Sequence, residues 1–152
     1  MLTPPSRGFL RAEFEHRMAR AQARMRELEL DAVLLTTEAE VRYFTGFLTQ
    51  FWESPTRPWF VVLPLDGKPI AVIPEIGAAG MRTTWVEDIR TWSSPRPGDD
   101  GPSLVAGALE APTRRVGRLG ASPGAGGGAR VPPRGFCQTR GIGGGGGIPD
   151  AA

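Results

Sequence analysis

The chain has 152 residues, enough for one domain of ordinary size, and a formal charge of +2. So small a charge gives no push toward nucleic acid or an anionic membrane, and no run approaches the roughly 18 uninterrupted apolar residues of a membrane span. Cys137 is the sole cysteine, which excludes an intramolecular disulfide and fits a reducing, cytoplasmic setting.

Lys68 is the only lysine among 18 basic residues, and the 17 arginines are spread along the chain and mixed with acids. That distribution fits codon bias in a GC-rich gene better than a nucleic-acid surface. The opening MLTPPSRGFLRAEF contains no apolar run of signal-peptide length. Residues 1–10 are expected to be a flexible N-terminus.

Residues 11–30 give the clearest helical pattern. Phe14, Met18, Ala21, Met25 and Leu28 recur at steps of four and three and form one stripe. Arg17, Arg20, Arg24 and Arg26 are assigned mostly to the other faces. The methionine stripe reads as core packing. Asp31 leads into AVLLT (32–36), a short run suited to a strand buried on both faces. Thr37 and Glu40 have capping-box spacing, predicting a short helix through Val41 and Phe44 that Gly46 ends. FLTQFWESPTRP (47–58) reads as an aromatic loop.

WFVVLP (59–64) and IAVIP (70–74) flank Asp66-Gly67, a hairpin signal, with Pro64, Pro69 and Pro74 at strand ends. Residues 75–83 predict a short helix weakened by Gly77 and Gly80, and DIRTW (88–92) another strand. Asp99 or Asp100 is a candidate cap for a helix with Pro102 in its first turn, running to about Glu110. RVGRLG (115–120) predicts a last strand. The fold class is α/β, a mixed β-sheet flanked by helices.

Beyond residue 119 the character changes. Twelve of the 21 glycines lie between Gly120 and Gly147, and Phe136 is the only one of 12 aromatic residues after Trp92. Residues 120–152 are therefore expected to be a low-complexity, disordered Gly-rich C-terminal tail, separate from a domain at 11–119. Two origins are open: a natural linker, or a GC-rich gene read in a shifted frame. Translating the downstream DNA in the other two frames distinguishes them.

Little in the chain suggests chemistry of its own. His16, the only histidine, sits between Glu15 and Arg17 on the first helix and reads as a surface residue. Glu38 and Glu40 are two residues apart and do not face each other on a helix. Ser54 and Ser94 precede prolines and read as turn residues. Cys137 has no evident base, and Gly143–Gly147 lack the Lys-Ser/Thr of a phosphate loop.

Three segments agree in order and spacing with a known domain: TTEAEVRYFTGF (36–47), FWESPTRPWFVVLPLDGKPIAVIPEIG (51–77) and WVEDIRTWSSP (85–95), preceded by LELDAVLLTT. Over roughly residues 10–120 the chain resembles the N-terminal domain of the creatinase, aminopeptidase P and prolidase family of Xaa-Pro peptidases. The resemblance implies a ribonuclease H-like motif. Full-length members add a C-terminal pita-bread catalytic domain, where the peptidases bind two metal ions through two aspartates, a histidine and two glutamates; creatinase uses that fold without metal. The N-terminal domain supports dimerisation and sends a loop toward the partner's active site. The expectation is a chain with no catalytic residue, metal ligand or cofactor of its own. It would pair as a homo-oligomer or with a full-length paralogue, and would engage neither nucleic acid nor membrane. By family analogy, Phe51, Trp52, Glu53 and Arg57 form the loop that contacts the partner or its substrate. The competing reading of the same loop has Trp52 and Trp59 packing beneath it and Arg57 pairing with Glu53.

Overall fold

The computed structural model describes residues 8–52, 57–94, 101–110, 118–121 and 136–138. Helix α1 (Arg11–Glu27) buries Phe14, Met18, Ala21 and Met25, so the predicted stripe is the core-facing one. The helix ends three residues earlier than the pattern suggested. Glu29 adopts φ 54°, and the Leu30 and Glu29 amides donate back to the Met25 and Arg26 carbonyls. This left-handed cap turns the chain into the first strand, and the buried Met25 and Leu30 close it.

Arg17 also departs from expectation. It was assigned to a polar face, yet it is only 8% exposed. It follows Phe14 by three residues and precedes Ala21 by four, so it borders the apolar stripe. Its guanidinium lies 4.2 Å from the Phe9 ring centroid, 5.4 Å from that of Phe14 and 4.4 Å from that of Tyr43. It donates to the Glu13 carboxylate at 2.9 Å and to the Tyr43 carbonyl at 2.9 Å. Charge, hydrogen bonds and three ring faces offset its desolvation. Arg17→Ala is expected to lower stability by about 2–3 kcal/mol, whereas Glu13→Ala, which removes a half-exposed partner, costs under about 1 kcal/mol. Urea unfolding of the two variants checks the contrast.

Strand β1 (Ala32–Leu35) is buried throughout. Helix α2 (Glu38–Thr45) begins with the predicted capping box: the Glu40 amide donates to Thr37 Oγ1, which donates in turn to the Glu40 carboxylate. Gly46 ends it at φ 75°. Strands β2 (Phe60–Pro64) and β3 (Ile70–Pro74) form the predicted hairpin, with Gly67 at φ 100° in the turn. Gln22 of α1 donates to the carbonyls of Pro64 and Gly67 and fastens the helix to that hairpin. The predicted helix after β3 is divided into a 3-10 turn, Glu75–Gly77, and α3 (Ala78–Met81). Strand β4 (Asp88–Trp92) and helix α4 (Pro102–Glu110) follow, the latter with Pro102 at its first position. The candidate caps Asp99 and Asp100 lie outside the described residues.

Strand β5 spans Leu119–Ala121 rather than 115–120, with Gly120 and Ala121 buried. Just before it, the Arg118 amide donates to the Asp31 carboxylate and the Arg118 carbonyl accepts from the Asp31 amide. These bonds set its register on β1. A further strand, β6 (Phe136–Gln138), pairs in parallel with β5, although the sequence predicted no strand past residue 120. Parallel addition at a sheet edge needs backbone N–H and C=O groups, which composition does not reveal. The rest of the predicted tail lies outside the described residues.

The sheet has six strands in the order β4-β3-β2-β1-β5-β6. Only the β1–β2 and β2–β3 pairs are antiparallel, so β2 runs against the other five strands. Alternation divides its residues between two layers. Val33, Leu35, Val61, Leu63, Ala71 and Ile73 pack with α1, α2 and α3. Ala32, Leu34, Phe60, Val62, Ile70 and Val72 pack with Trp92 and with Val105 and Ala108 of α4. The mixed α/β sheet with flanking helices is therefore the observed fold.

Candidate functional site

The predicted loop leaves α2 at Gly46 and returns to the sheet at Trp59. Its entry is fixed by Thr45, whose buried hydroxyl donates to the Val41 carbonyl and accepts from the Phe47 amide. Phe47 turns into the core against Trp59, with ring centroids 5.5 Å apart. Trp59 is 3% exposed and its indole N–H donates to the Phe51 carbonyl at 3.3 Å. Trp52 stacks on Trp59 at 6.0 Å and 21°. Three rings thus form a layered wedge whose outer member, Trp52, is half-buried, while Phe51 at its edge is 38% exposed.

This geometry decides part of the competition between the two readings. Trp59 is a core residue just before β2, as the packing reading expects. Trp52 packs on Trp59, as that reading also expects, yet is only half-buried. Arg57 is half-buried at the return of the loop. Glu53 lies outside the described residues, as do Ser54 and the predicted Arg57–Glu53 pair. Leu48 is also exposed, so the loop presents an apolar surface with Phe51.

The other candidates do not converge. His16 is exposed on α1. Glu40 is held by Thr37, and Glu38 is not brought against it. No group of three or more His, Cys, Asp or Glu side chains that could hold a metal occurs among the described residues. Those residues accordingly do not fit a di-metal centre. Among the described residues, the one carboxylate with a clearly shifted titration is Glu87. Its hydrogen bond to Lys68, reinforced by the charges of Lys68 and Arg11, lowers its pKa below the ordinary glutamate value. It is a surface ion cluster joining β4's entry to α1 and the hairpin. No described helix is long and apolar enough to cross a membrane.

The family model described as the creatinase/prolidase N-terminal domain matches residues 17–123, which is most of the chain. The chain belongs to the creatinase/prolidase N-terminal domain family. Among solved structures, a dipeptidase from Mycobacterium ulcerans is 29% identical with a TM-score of 0.55, covering 66% of this chain and 27% of its own. A prolidase from Thermococcus sibiricus is 16% identical with a TM-score of 0.63, covering 76% of this chain and 29% of its own. An X-Pro dipeptidase N-terminal domain from Streptococcus pyogenes is 12% identical with a TM-score of 0.55, covering 70% and 80% respectively. No curated protein matches. The creatinase/prolidase N-terminal domain found here thus corresponds to a little over a quarter of the Mycobacterium dipeptidase and most of the isolated streptococcal domain.

Two features of this domain escaped sequence reasoning. Arg17 was legible only as one of many arginines, although its i−3 neighbour Phe14 and i−4 neighbour Glu13 were available signals. Gly77 was read merely as a helix weakener. A Cβ at that position would stand 2.2 Å from Cζ3 and 2.5 Å from Cη2 of Trp59, so the glycine is what lets the aromatic wedge seat.

Proposed function

We propose that this chain acts as the non-catalytic N-terminal domain of a prolidase-like Xaa-Pro hydrolase, pairing with a second copy or with a full-length relative. In that role the loop carrying Phe51, Trp52, Glu53 and Arg57 meets the partner near its substrate pocket. The observation that carries this reading is the aromatic wedge: Trp52 is stacked on a buried Trp59, and Phe51 stands exposed beside it. A rigid, partly exposed aromatic surface loses little conformational entropy on contact, and Trp is enriched at binding hot spots. The metal centre of the peptidases would then be supplied outside the described residues, by a catalytic domain.

The expected result is a concentration-dependent dimer, or a complex with a full-length relative, in size-exclusion chromatography with light scattering. Trp52→Ala and Arg57→Ala should each weaken association about tenfold or more, as expected for hot-spot residues. Circular dichroism checks that both variants stay folded. The chain alone should show no turnover of an Xaa-Pro dipeptide with added divalent metal. Turnover by the purified chain defeats the non-catalytic assignment. A persistent monomer that also ignores the full-length relative defeats the pairing assignment.

A further inference from the structure

The carboxyl end of the parallel strands, beside which the aromatic wedge sits, carries a different feature on the other face of the sheet. β3 and β4 are parallel neighbours. The chain leaves β3 for α3 on one face of the sheet and leaves β4 for α4 on the other. Where adjacent parallel strands send their following segments to opposite faces, a crevice opens outside their carboxyl ends, the usual ligand position in open α/β sheets.

Two side-chain donors are buried at that end. Trp92 Nε1, on the last residue of β4, and Ser94 Oγ, two residues on, have no hydrogen-bond partner among the described residues. Trp92 is 3% exposed. The contrast with the other buried indoles is informative: Trp59 donates to the Phe51 carbonyl and Trp85 to the Phe44 carbonyl. Leaving a buried donor unmet is costly, so such a group calls for an acceptor.

The helix that follows begins on top of Trp92. Gly101 has φ +97°, and its carbonyl accepts from the Val105 amide to open α4. A Cβ at Gly101 would stand 2.9 Å from Trp92 Nε1, 3.1 Å from Cδ1 and 3.4 Å from Cε2. An atom lying along the N–H axis at the same distance from Nε1 would be clearly farther from both carbons. A side chain at Gly101 would therefore meet the pyrrole face and not lie along the N–H axis, and the ring sits beside the electropositive start of a nine-residue helix.

We propose that this crevice is a binding site for a small oxyanion, a phosphate or carboxylate group, which accepts from Trp92 Nε1 and Ser94 Oγ at the start of α4. The site is distinct from the aromatic wedge and does not depend on the pairing role. The same acceptor chemistry has a second source, the chain's own Asp99 or Asp100 carboxylate, and the experiment separates the two.

The full chain is labelled with ¹⁵N and titrated with inorganic phosphate at constant ionic strength, with chloride as control, while the four tryptophan indole N–H signals are followed. Trp92→Phe identifies the Trp92 signal by its loss, and through-space contacts to β4 identify it if that variant does not fold. The Trp92 signal should move saturably while those of Trp59 and Trp85 stay in place. Ser94→Ala should weaken half-saturation several-fold. A Trp92 signal indifferent to phosphate, or one that moves equally with chloride, overturns the proposal. So does an Asp99→Asn or Asp100→Asn change that shifts the same signal without added phosphate, because the acceptor is then internal.

Discussion

Gly77→Ala is expected to destabilise the domain by about 3 kcal/mol and to lower its melting temperature by roughly 15 °C, near the upper end for an overpacked core. Intrinsic propensity argues the other way, since alanine in a helical segment is favoured over glycine by about 1 kcal/mol. Gly77 itself has φ −89°, so backbone strain does not require the glycine. Space decides the sign. The new methyl would stand 2.2 Å and 2.5 Å from two ring atoms of Trp59, with Ile73 Cδ1 at 3.4 Å behind it. Trp59 has little freedom to yield, because Phe47 and Trp52 pack against it and its N–H is tied to Phe51. A Phe at position 59 lacks the outer benzo-ring carbons that the methyl meets. In a Trp59→Phe background, the added cost of Gly77→Ala should therefore fall to under about 1 kcal/mol, a coupling that a double-mutant cycle reads directly. A rise in melting temperature for Gly77→Ala alone would mean that the wedge shifts freely, and would also weaken its case as a rigid contact surface.

The same position shows where a sequence stops being readable. Features set by neighbours in the chain were legible. The stripe of α1, the Thr37–Glu40 capping box, the Gly46 stop and the Asp66-Gly67 turn each follow from spacing of a few residues, and each is present. Features set by distant contacts were not. Glu29 takes a left-handed conformation usually left to glycine or asparagine, because the tertiary turn into β1 and the Met25–Leu30 closure outweigh local preference. β6 joins through backbone bonds that any extended tripeptide can offer.

The candidate site divides along the same line. Phe51 and Trp52 stood out as aromatics in a proline-flanked loop, and the structure leaves both at least partly accessible. That Trp59 would serve as their base depended on Phe47, twelve residues earlier, and on a gap left by Gly77, eighteen residues later. Trp92 and Ser94 gave no signal at all. An unmet donor is a property of what surrounds a group, and a linear pattern of residue types does not encode it.

Trp85→Ala should be the other severe change, costing about 3–5 kcal/mol as a cavity mutation. Trp85 precedes β4, and its ring stacks on Phe14 of α1 at 6.4 Å and 14°. Its indole N–H donates at 2.8 Å to the Phe44 carbonyl near the end of α2, where helical carbonyls run out of intrahelical donors. One side chain thus joins two helices to the sheet by different forces, and substitution can separate them. Trp85→Phe retains much of the ring contact but leaves the Phe44 carbonyl without this donor, for an expected cost of about 1–3 kcal/mol. Urea midpoints with unchanged slopes should place the Phe variant between wild type and Ala. If Phe were as damaging as Ala, the hydrogen bond would be the principal tie. If Phe were neutral, the carbonyl must find water, and the α1–α2 junction would be held by ring packing alone.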